Sequence, residues 1–131
     1  MSFMSWCAVG GGAAFGAWLR WGLGILLNPV FPTVPLGTLA SNLIAGFLMG
    51  VTMELITRNA AMTPEMRLLM TTGFLGGLST FSTFSAEIVT LFSHKEYWWG
   101  TLAVSAHVIG SLVLTVLGIY VIRLFFPLEA V

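Results

Sequence analysis

The residues with the clearest potential for chemistry lie in one stretch, residues 73–85, where glycines are followed by hydroxyls and phenylalanines. Gly76 and Gly77 are adjacent there, and each glycine inside a helix costs about 1 kcal/mol relative to alanine. Two in a row, just before Ser79 and Thr80, indicate local unwinding. Unwinding frees backbone carbonyls, and free carbonyls at membrane depth coordinate cations such as Na⁺. The stretch therefore predicts a broken helix with a candidate cation site.

Two phenylalanines continue this stretch. Phe81 and Phe84 are three residues apart, so they share one face of a helix, and they alternate with Ser82, Thr83 and Ser85. A helix face this rich in hydroxyls is not turned toward lipid, so we expect both rings inside the protein. The edge of a phenyl ring carries positive charge, and such edges can contact a small anion in a dry constriction. The alternative is that the two rings only pack.

Polar stripes also run along two other apolar segments. Thr38 and Asn42 are four residues apart, and His107, Ser111 and Thr115 follow the same spacing. Such residues commonly form interhelical hydrogen bonds in membranes, and they can equally act as donors along an anion path. A metal site at His107 is not expected, because no second His, Cys or carboxylate stands at ligand spacing.

Two charged residues near these stripes have alternative interpretations. Arg20 is flanked by Trp18 and Trp21, so it is either a snorkelling arginine in an interfacial aromatic belt or part of an electropositive vestibule for an anion. Glu87 is the carboxylate closest to the central stretch, and it is either paired or near the far membrane interface.

The composition of the chain indicates the environment in which these residues lie. Of 131 residues, 57% are hydrophobic and 8% are charged, with a mean hydropathy of +0.96, whereas soluble domains carry about 25% charged residues. The solvent of this chain is therefore largely lipid. No basic run points to nucleic acid. No paired carboxylates, nucleophile–base pair or phosphate loop points to an enzyme.

Four apolar segments are each near the ~20 residues that cross a bilayer. They predict an all-α integral membrane protein with one four-helix domain over residues 1–131, with helices at about 3–27, 36–56, 64–92 and 97–126. The first segment lacks a positively charged start, so we interpret it as a membrane helix and not a cleaved signal. Thr63-Pro64-Glu65 is typical of a helix start. Glycines four apart, at 12 and 16 and at 46 and 50, predict close helix packing.

The Lys and Arg residues favour neither orientation of the chain in the membrane strongly. Arg58, Arg67 and Arg123 fall on one side of the membrane, against Lys95 and Arg20 on the other. Orientation follows an excess of Lys and Arg on one side, and three against two is a small excess. We therefore expect the chain to insert both ways up and to form an antiparallel homodimer, since two-fold pairs are the commonest oligomers. The alternative is that something other than charge fixes the orientation.

With these residues the chain resembles the Fluc (CrcB-type) fluoride channels. Three blocks carry the resemblance, and they are GGAAFGAWLRW at 11–21, PLGTLASN at 35–42 and TGFLGGLSTFSTFSAE at 72–87. The last block is long and specific. The resemblance implies a dual-topology antiparallel homodimer, multi-pass in the bacterial inner (plasma) membrane, that exports cytoplasmic fluoride passively through two pores.

The resemblance also implies roles for individual residues. The fluoride pore would be lined by Phe81, Phe84, Asn42, Ser82, Thr83 and Ser111. Thr38 and His107 join this set through their stripes, although relatives often have a smaller polar residue in place of His107. The backbone carbonyls of Gly76 and Ser79 would hold a central structural Na⁺, with serine at a position where the family often has threonine. Arg20 would be the vestibule arginine.

Two other classes of protein compete with this interpretation. A small proton-coupled multidrug exporter also has four helices and dual topology, but it needs a membrane carboxylate in its first helix, and residues 3–27 contain none. A structural membrane subunit without transport would leave the polar stripes unexplained.

Overall fold

The computed structural model describes residues 2–59 and 61–126. Residues 1, 60 and 127–131 of the predicted domain lie outside the described residues. Every regular element in the described part is helical. The order is α1 Phe3–Leu27, a 3-10 turn Asn28–Val30, α2 Leu36–Arg58, α3 Pro64–Leu68, a π-helical segment Leu69–Leu75, α4 Gly76–Leu78, α5 Phe81–Ser93 and α6 Tyr97–Phe125.

Four helices are present, as the sequence predicted, with the third formed by the pieces from Pro64 to Ser93. The third begins at the expected cap, because the Thr63 hydroxyl accepts from the amide of Met66 and Pro64 occupies the first turn. Among residues 2–59 and 61–126, two helices are long and apolar enough to cross a bilayer, and they are Leu36–Arg58 and Tyr97–Phe125.

The first close helix pair, the α1 seam, joins α1 to the third helix. A methyl group on Gly12 would lie 2.5 Å from the carbonyl oxygen of Leu69, and one on Gly73 would lie 2.9 Å from that of Val9. Gly16 faces the backbone of Phe74 in the same way. Backbone here touches backbone, so the predicted close approach at positions 12 and 16 is confirmed.

The second pair, the α6 seam, joins α2 to α6. A methyl group on Gly46 would lie 2.9 Å from the carbonyl oxygen of Ser111, and one on Gly50 would overlap that of Thr115. The Thr115 hydroxyl lies 3.0 Å from the carbonyl oxygen of Gly46. The close approach at positions 46 and 50 is therefore confirmed too. Between the two seams, Ala45, Leu75 and Leu78 form a buried apolar cluster.

An ion cluster closes one end of the bundle. Glu54 Oε1 accepts from Arg58 Nε at 2.8 Å, and Glu54 Oε2 lies 3.1 Å from Arg123 Nη2. Arg58 also donates to the backbone carbonyl of Phe126. This cluster places Arg58 and Arg123 at the same end of the molecule, as a four-helix topology requires.

Candidate functional site

The third helix is interrupted at Ser79 and Thr80. Both residues are extended, with φ −77° and ψ 155° at Ser79 and φ −150° and ψ 116° at Thr80. Thr80 then caps the next helix, because its Oγ1 accepts from the amide of Thr83 at 3.2 Å. Extended backbone with negative φ suits any residue, so glycine is not required at this point.

Gly76 and Gly77 are themselves helical, so the expectation of unwinding at this pair was wrong. The small size of Gly77 instead allows close helix packing. A methyl group on Gly77 would lie 2.9 Å from Ala13 Cα and still closer to the Ala13 carbonyl oxygen. The glycine at 77 therefore serves the α1 seam, and the change of backbone direction comes two residues later.

Asn42 of α2 pairs with both backbone groups of Thr80. Its Oδ1 accepts from the Thr80 amide at 2.7 Å, and its Nδ2 donates to the Thr80 carbonyl at 3.1 Å. Nδ2 also lies 3.0 Å from His107 Nδ1. Because Nδ2 can only donate, His107 Nδ1 must accept, and the proton of the neutral imidazole is on Nε2. Both N–H donors of the Asn42 amide are thus engaged within the chain.

Arg20 of α1 reaches the interruption from the opposite side. Its Nε donates to the carbonyl of Gly77 at 3.0 Å. Arg20 is partly buried, and this hydrogen bond ties its side chain to the interrupted helix.

A first cavity of about 380 Å³ lies between α2, α5 and α6. It brings together residues that the sequence predicted for the pore, namely Asn42, Phe81, Phe84, His107 and Ser111, along with Ser79, Thr80 and Thr115. The Phe84 ring lies 4.5 Å from the His107 ring and 5.6 Å from the Phe81 ring, measured between centroids.

The two phenylalanines differ in their surroundings. Phe84 is 8% exposed, whereas Phe81 is 79% exposed on the outside of the chain. The expectation that both rings lie inside is therefore wrong for Phe81 within one protomer. The Phe84 ring packs against the His107 ring, whereas most of the Phe81 side chain is uncovered in one protomer.

A second cavity of about 480 Å³ lies on the other side of the interruption, beside α1. It is lined by the predicted residues Arg20, Thr38 and Thr83, together with Trp21, Asn28 and Thr80. Thr80 lines both cavities. Ser82 is exposed and is not among the lining residues of either, and its hydroxyl lies 3.4 Å from that of Thr80.

Glu87 has a hydrogen-bond partner on α2. The Thr38 hydroxyl donates to Glu87 Oε1 at 2.5 Å. The carboxylate of α5 thus bonds to a residue that lines the second cavity.

The carbonyls of Gly76 and Ser79 have lost their helical partners. The amide four residues after Gly76 is that of Thr80, which bonds to Asn42, and the amide four residues after Ser79 is that of Thr83, which bonds to Thr80 Oγ1. Within the described residues neither carbonyl accepts another hydrogen bond. Two such carbonyls suit a hard monovalent cation. Residues 2–59 and 61–126 contain no cluster of three His, Cys, Asp or Glu for a metal.

The chain matches the family model described as CrcB-like protein, Camphor Resistance (CrcB), over residues 7–119. It belongs to the CrcB family. Relatives named fluoride-specific ion channel FluC include one from Nitrosospira multiformis, 53% identical over 94% of this chain and 96% of the relative. Another, from Aromatoleum aromaticum, is 57% identical over 85% of each chain. A third, from Ralstonia pickettii, is 54% identical over 95% of this chain and 99% of the relative.

Membership of the CrcB family agrees with two predictions from composition. The relatives are named as ion channels, a class of protein distinct from enzymes, so the chain is not expected to catalyse a reaction. Together with the two apolar helices, this membership identifies the CrcB chain as a membrane protein.

Sequence reasoning missed three contacts of this CrcB site. They are Arg20 with the Gly77 carbonyl, Asn42 with the Thr80 backbone, and Thr38 with Glu87. One sequence signal for Thr80 did exist, since a threonine at the start of an apolar helix is a common N-cap.

Proposed function

We propose that the chain is a fluoride-selective channel that lets cytoplasmic fluoride leave the cell passively across the bacterial inner membrane. The observation that carries this proposal is its identity of 53% to a fluoride-specific ion channel over 94% of the chain. The geometry supports it, because hydrogen-bonding side chains and the Phe84 ring line the first cavity.

Fluoride is small and strongly hydrated, so a path for it must replace water with hydrogen-bond donors. The hydroxyls of Ser111 and Thr83 and the Nε2–H of His107 can donate, and the Phe84 ring offers its edge. Ser82 would extend this set at the surface. Asn42 acts on the path through Thr80 and His107, because its own amide is already engaged.

A second copy of the chain would complete the path. Phe81 is 79% exposed and lines the first cavity, so a partner protomer is the natural cover for this ring. The near balance of Lys and Arg on the two sides supports an antiparallel arrangement. Two-fold symmetry then gives two equivalent pores, one for each set of cavities.

The carbonyls of Gly76 and Ser79 would hold a Na⁺ ion at the centre of this dimer. Four carbonyls, two from each protomer, can surround one cation on the two-fold axis. Anomalous scattering from crystals soaked with Tl⁺ is expected to show one site on the axis. An axis without anomalous density would remove the cation from the proposal.

Fluoride efflux from liposomes tests the function. We expect purified protein to release fluoride and to retain chloride, measured with ion-selective electrodes on matched vesicles, with protein-free vesicles as the control. Absence of fluoride flux, or equal flux of both halides, would contradict the proposal. Proton-coupled drug export, the second candidate, needs an acidic residue in the first helix, and Phe3–Leu27 contains none.

A further inference from the structure

Arg20 supplies a hydrogen bond that the interrupted helix cannot make for itself. In a continuous helix the Gly77 carbonyl would accept from the amide of Phe81. Here Phe81 begins α5 beyond two extended residues, and that bond is not made. The Nε of Arg20 donates to the Gly77 carbonyl oxygen instead, at 3.0 Å.

The peptide that receives this bond is already held by packing. Gly77 lies against Ala13, where an added methyl group would lie 2.9 Å from Ala13 Cα, and its carbonyl carbon lies close to Gly16. Arg20 follows Ala13 by seven residues, which is two turns of α1. Helix α1 therefore holds the Gly77 peptide at two points, by contact and by hydrogen bond.

A matching restraint acts on the other side of the interruption. Asn42 holds the amide and carbonyl of Thr80 at 2.7 and 3.1 Å. The two extended residues, Ser79 and Thr80, are thus bracketed by a side chain from α1 and one from α2. The unpartnered carbonyl of Ser79 lies within this bracketed segment, and that of Gly76 comes just before it.

We propose that Arg20 is a positioning residue that fixes the orientation of the Gly77 peptide. Its hydrogen bond to the Gly77 carbonyl, more than its positive charge, accounts for this role. Without the bond, the Gly77 carbonyl would be left unsatisfied in a partly buried place. The segment 76–80 would then lose one of its restraints, and the two cavities that it separates would change shape.

Two substitutions separate the bond from the charge. In Arg20→Gln, Nε2 is attached to Cδ as the Nε of arginine is, so a donor remains at the same place while the charge is lost. In Arg20→Lys the charge remains, but a methylene occupies that place. A matched control is Arg123→Gln, which removes an arginine at the far end of the bundle.

The first readout is hydrogen–deuterium exchange of residues 76–83 in reconstituted protein, followed by mass spectrometry. We expect Arg20→Lys to raise exchange in this segment about tenfold, the effect of losing one charge-assisted hydrogen bond. Arg20→Gln and Arg123→Gln should stay within about threefold of the wild type. Wild-type exchange in Arg20→Lys, or equal increases in the lysine and glutamine variants, would overturn the proposal.

The second readout is fluoride efflux, and its interpretation rests on the proposed function. The expected order is wild type, then Arg20→Gln, then Arg20→Lys, at both low and high ionic strength. A purely electrostatic role predicts the reverse order of the two variants, with the difference shrinking as salt screens the charge, and that result would also overturn the proposal. If the wild type carries no fluoride, the channel function fails while the exchange measurement still decides the role of Arg20.

Discussion

The α1 seam and the α6 seam are built with the same device and used differently. Both bring backbone against backbone at glycines, with Gly12 and Gly16 in one and Gly46 and Gly50 in the other. The α6 seam joins two unbroken helices, α2 and α6. The α1 seam lies against a π-helical segment that leads into the interruption. Close packing thus stabilises continuous helices in one region and supports an irregular backbone in the other.

The difference shows how an interrupted helix can persist at membrane depth. Lipid offers no hydrogen bonds, so the protein must supply partners for freed backbone groups. Among the described residues it does so at Gly77 and Thr80 but not for the carbonyls of Gly76 and Ser79. Because α1 approaches so closely, Arg20 reaches the carbonyl of Gly77, and Asn42 reaches Thr80 from α2. The helices of the α6 seam are continuous, and the Thr115 hydroxyl lies 3.0 Å from the Gly46 carbonyl across it.

We expect the largest effect on stability from substitutions that force apart the helices of either seam. Gly16→Ala and Gly50→Ala each place a methyl group onto a facing carbonyl, of Phe74 and Thr115 respectively. Overpacking of this kind costs about 3 kcal/mol, so we expect less folded protein and a lower Tm in both. Only Gly16→Ala should also raise hydrogen exchange in residues 76–83.

Gly11→Ala is the control for these variants, because nothing lies within 4 Å of the added methyl group. A normal Tm in Gly16→Ala or Gly50→Ala would show that the seams are looser than described. Equal exchange in residues 76–83 for the two variants would remove the distinction between the seams.

The next effect concerns the side chain that supports the interruption from α2. Asn42→Leu keeps a similar volume but leaves the amide and carbonyl of Thr80 without partners. We expect fluoride efflux to fall about thirtyfold, corresponding to about 2 kcal/mol, with the dimer still formed by size-exclusion chromatography. Asn59→Leu, beyond the end of α2, should conduct normally. Unchanged efflux in Asn42→Leu would mean that Thr80 needs no support.

A smaller effect is expected from the two rings of the first cavity. Phe84→Ile and Phe81→Ile remove the ring edges while remaining apolar, and each should reduce fluoride efflux about tenfold, or about 1.4 kcal/mol of barrier. Phe15→Ile, on the outer face of α1, is the matched control. If both variants conduct like the wild type, the rings serve packing alone.

We expect the smallest effect on stability from a substitution in the α6 seam. Thr115→Val retains the shape of the side chain and removes a hydroxyl that lies 3.0 Å from the Gly46 carbonyl across the seam and 2.8 Å from the Ser111 carbonyl of its own helix. Interhelical hydrogen bonds in membranes are worth about 0.6 kcal/mol on average, so Tm should fall only slightly. Exchange in residues 76–83 should not change, and an increase there would show that the two seams are coupled.

The sequence allowed the helical class, the four helices and the close contacts to be predicted, because each depends on local pattern. Apolar length marked the helices, Thr63 marked the start of the third, and glycines four apart marked both seams. The stripe of His107, Ser111 and Thr115 does line a single cavity, because spacing of four keeps residues on one face.

The position of the interruption and its hydrogen bonds could not be predicted in the same way. Glycine at 77 was attributed to unwinding, whereas packing against Ala13 explains it. The partners of Arg20 and Asn42 lie 57 and 38 residues away. Which side chains meet across helices depends on how each helix is rotated, and the π-helical segment Leu69–Leu75 changes that rotation without a clear sequence signal.

Thr80 lines both cavities, so the interrupted backbone around it separates them. Where water fills both cavities, the transmembrane voltage falls across this thin partition and not across the ~30 Å of hydrocarbon. An anion that passes Thr80 would then perform most of its electrical work in one short step, at about 2.3 kcal/mol per unit charge for each 100 mV. The voltage dependence of the proposed fluoride current would accordingly be set at the interruption.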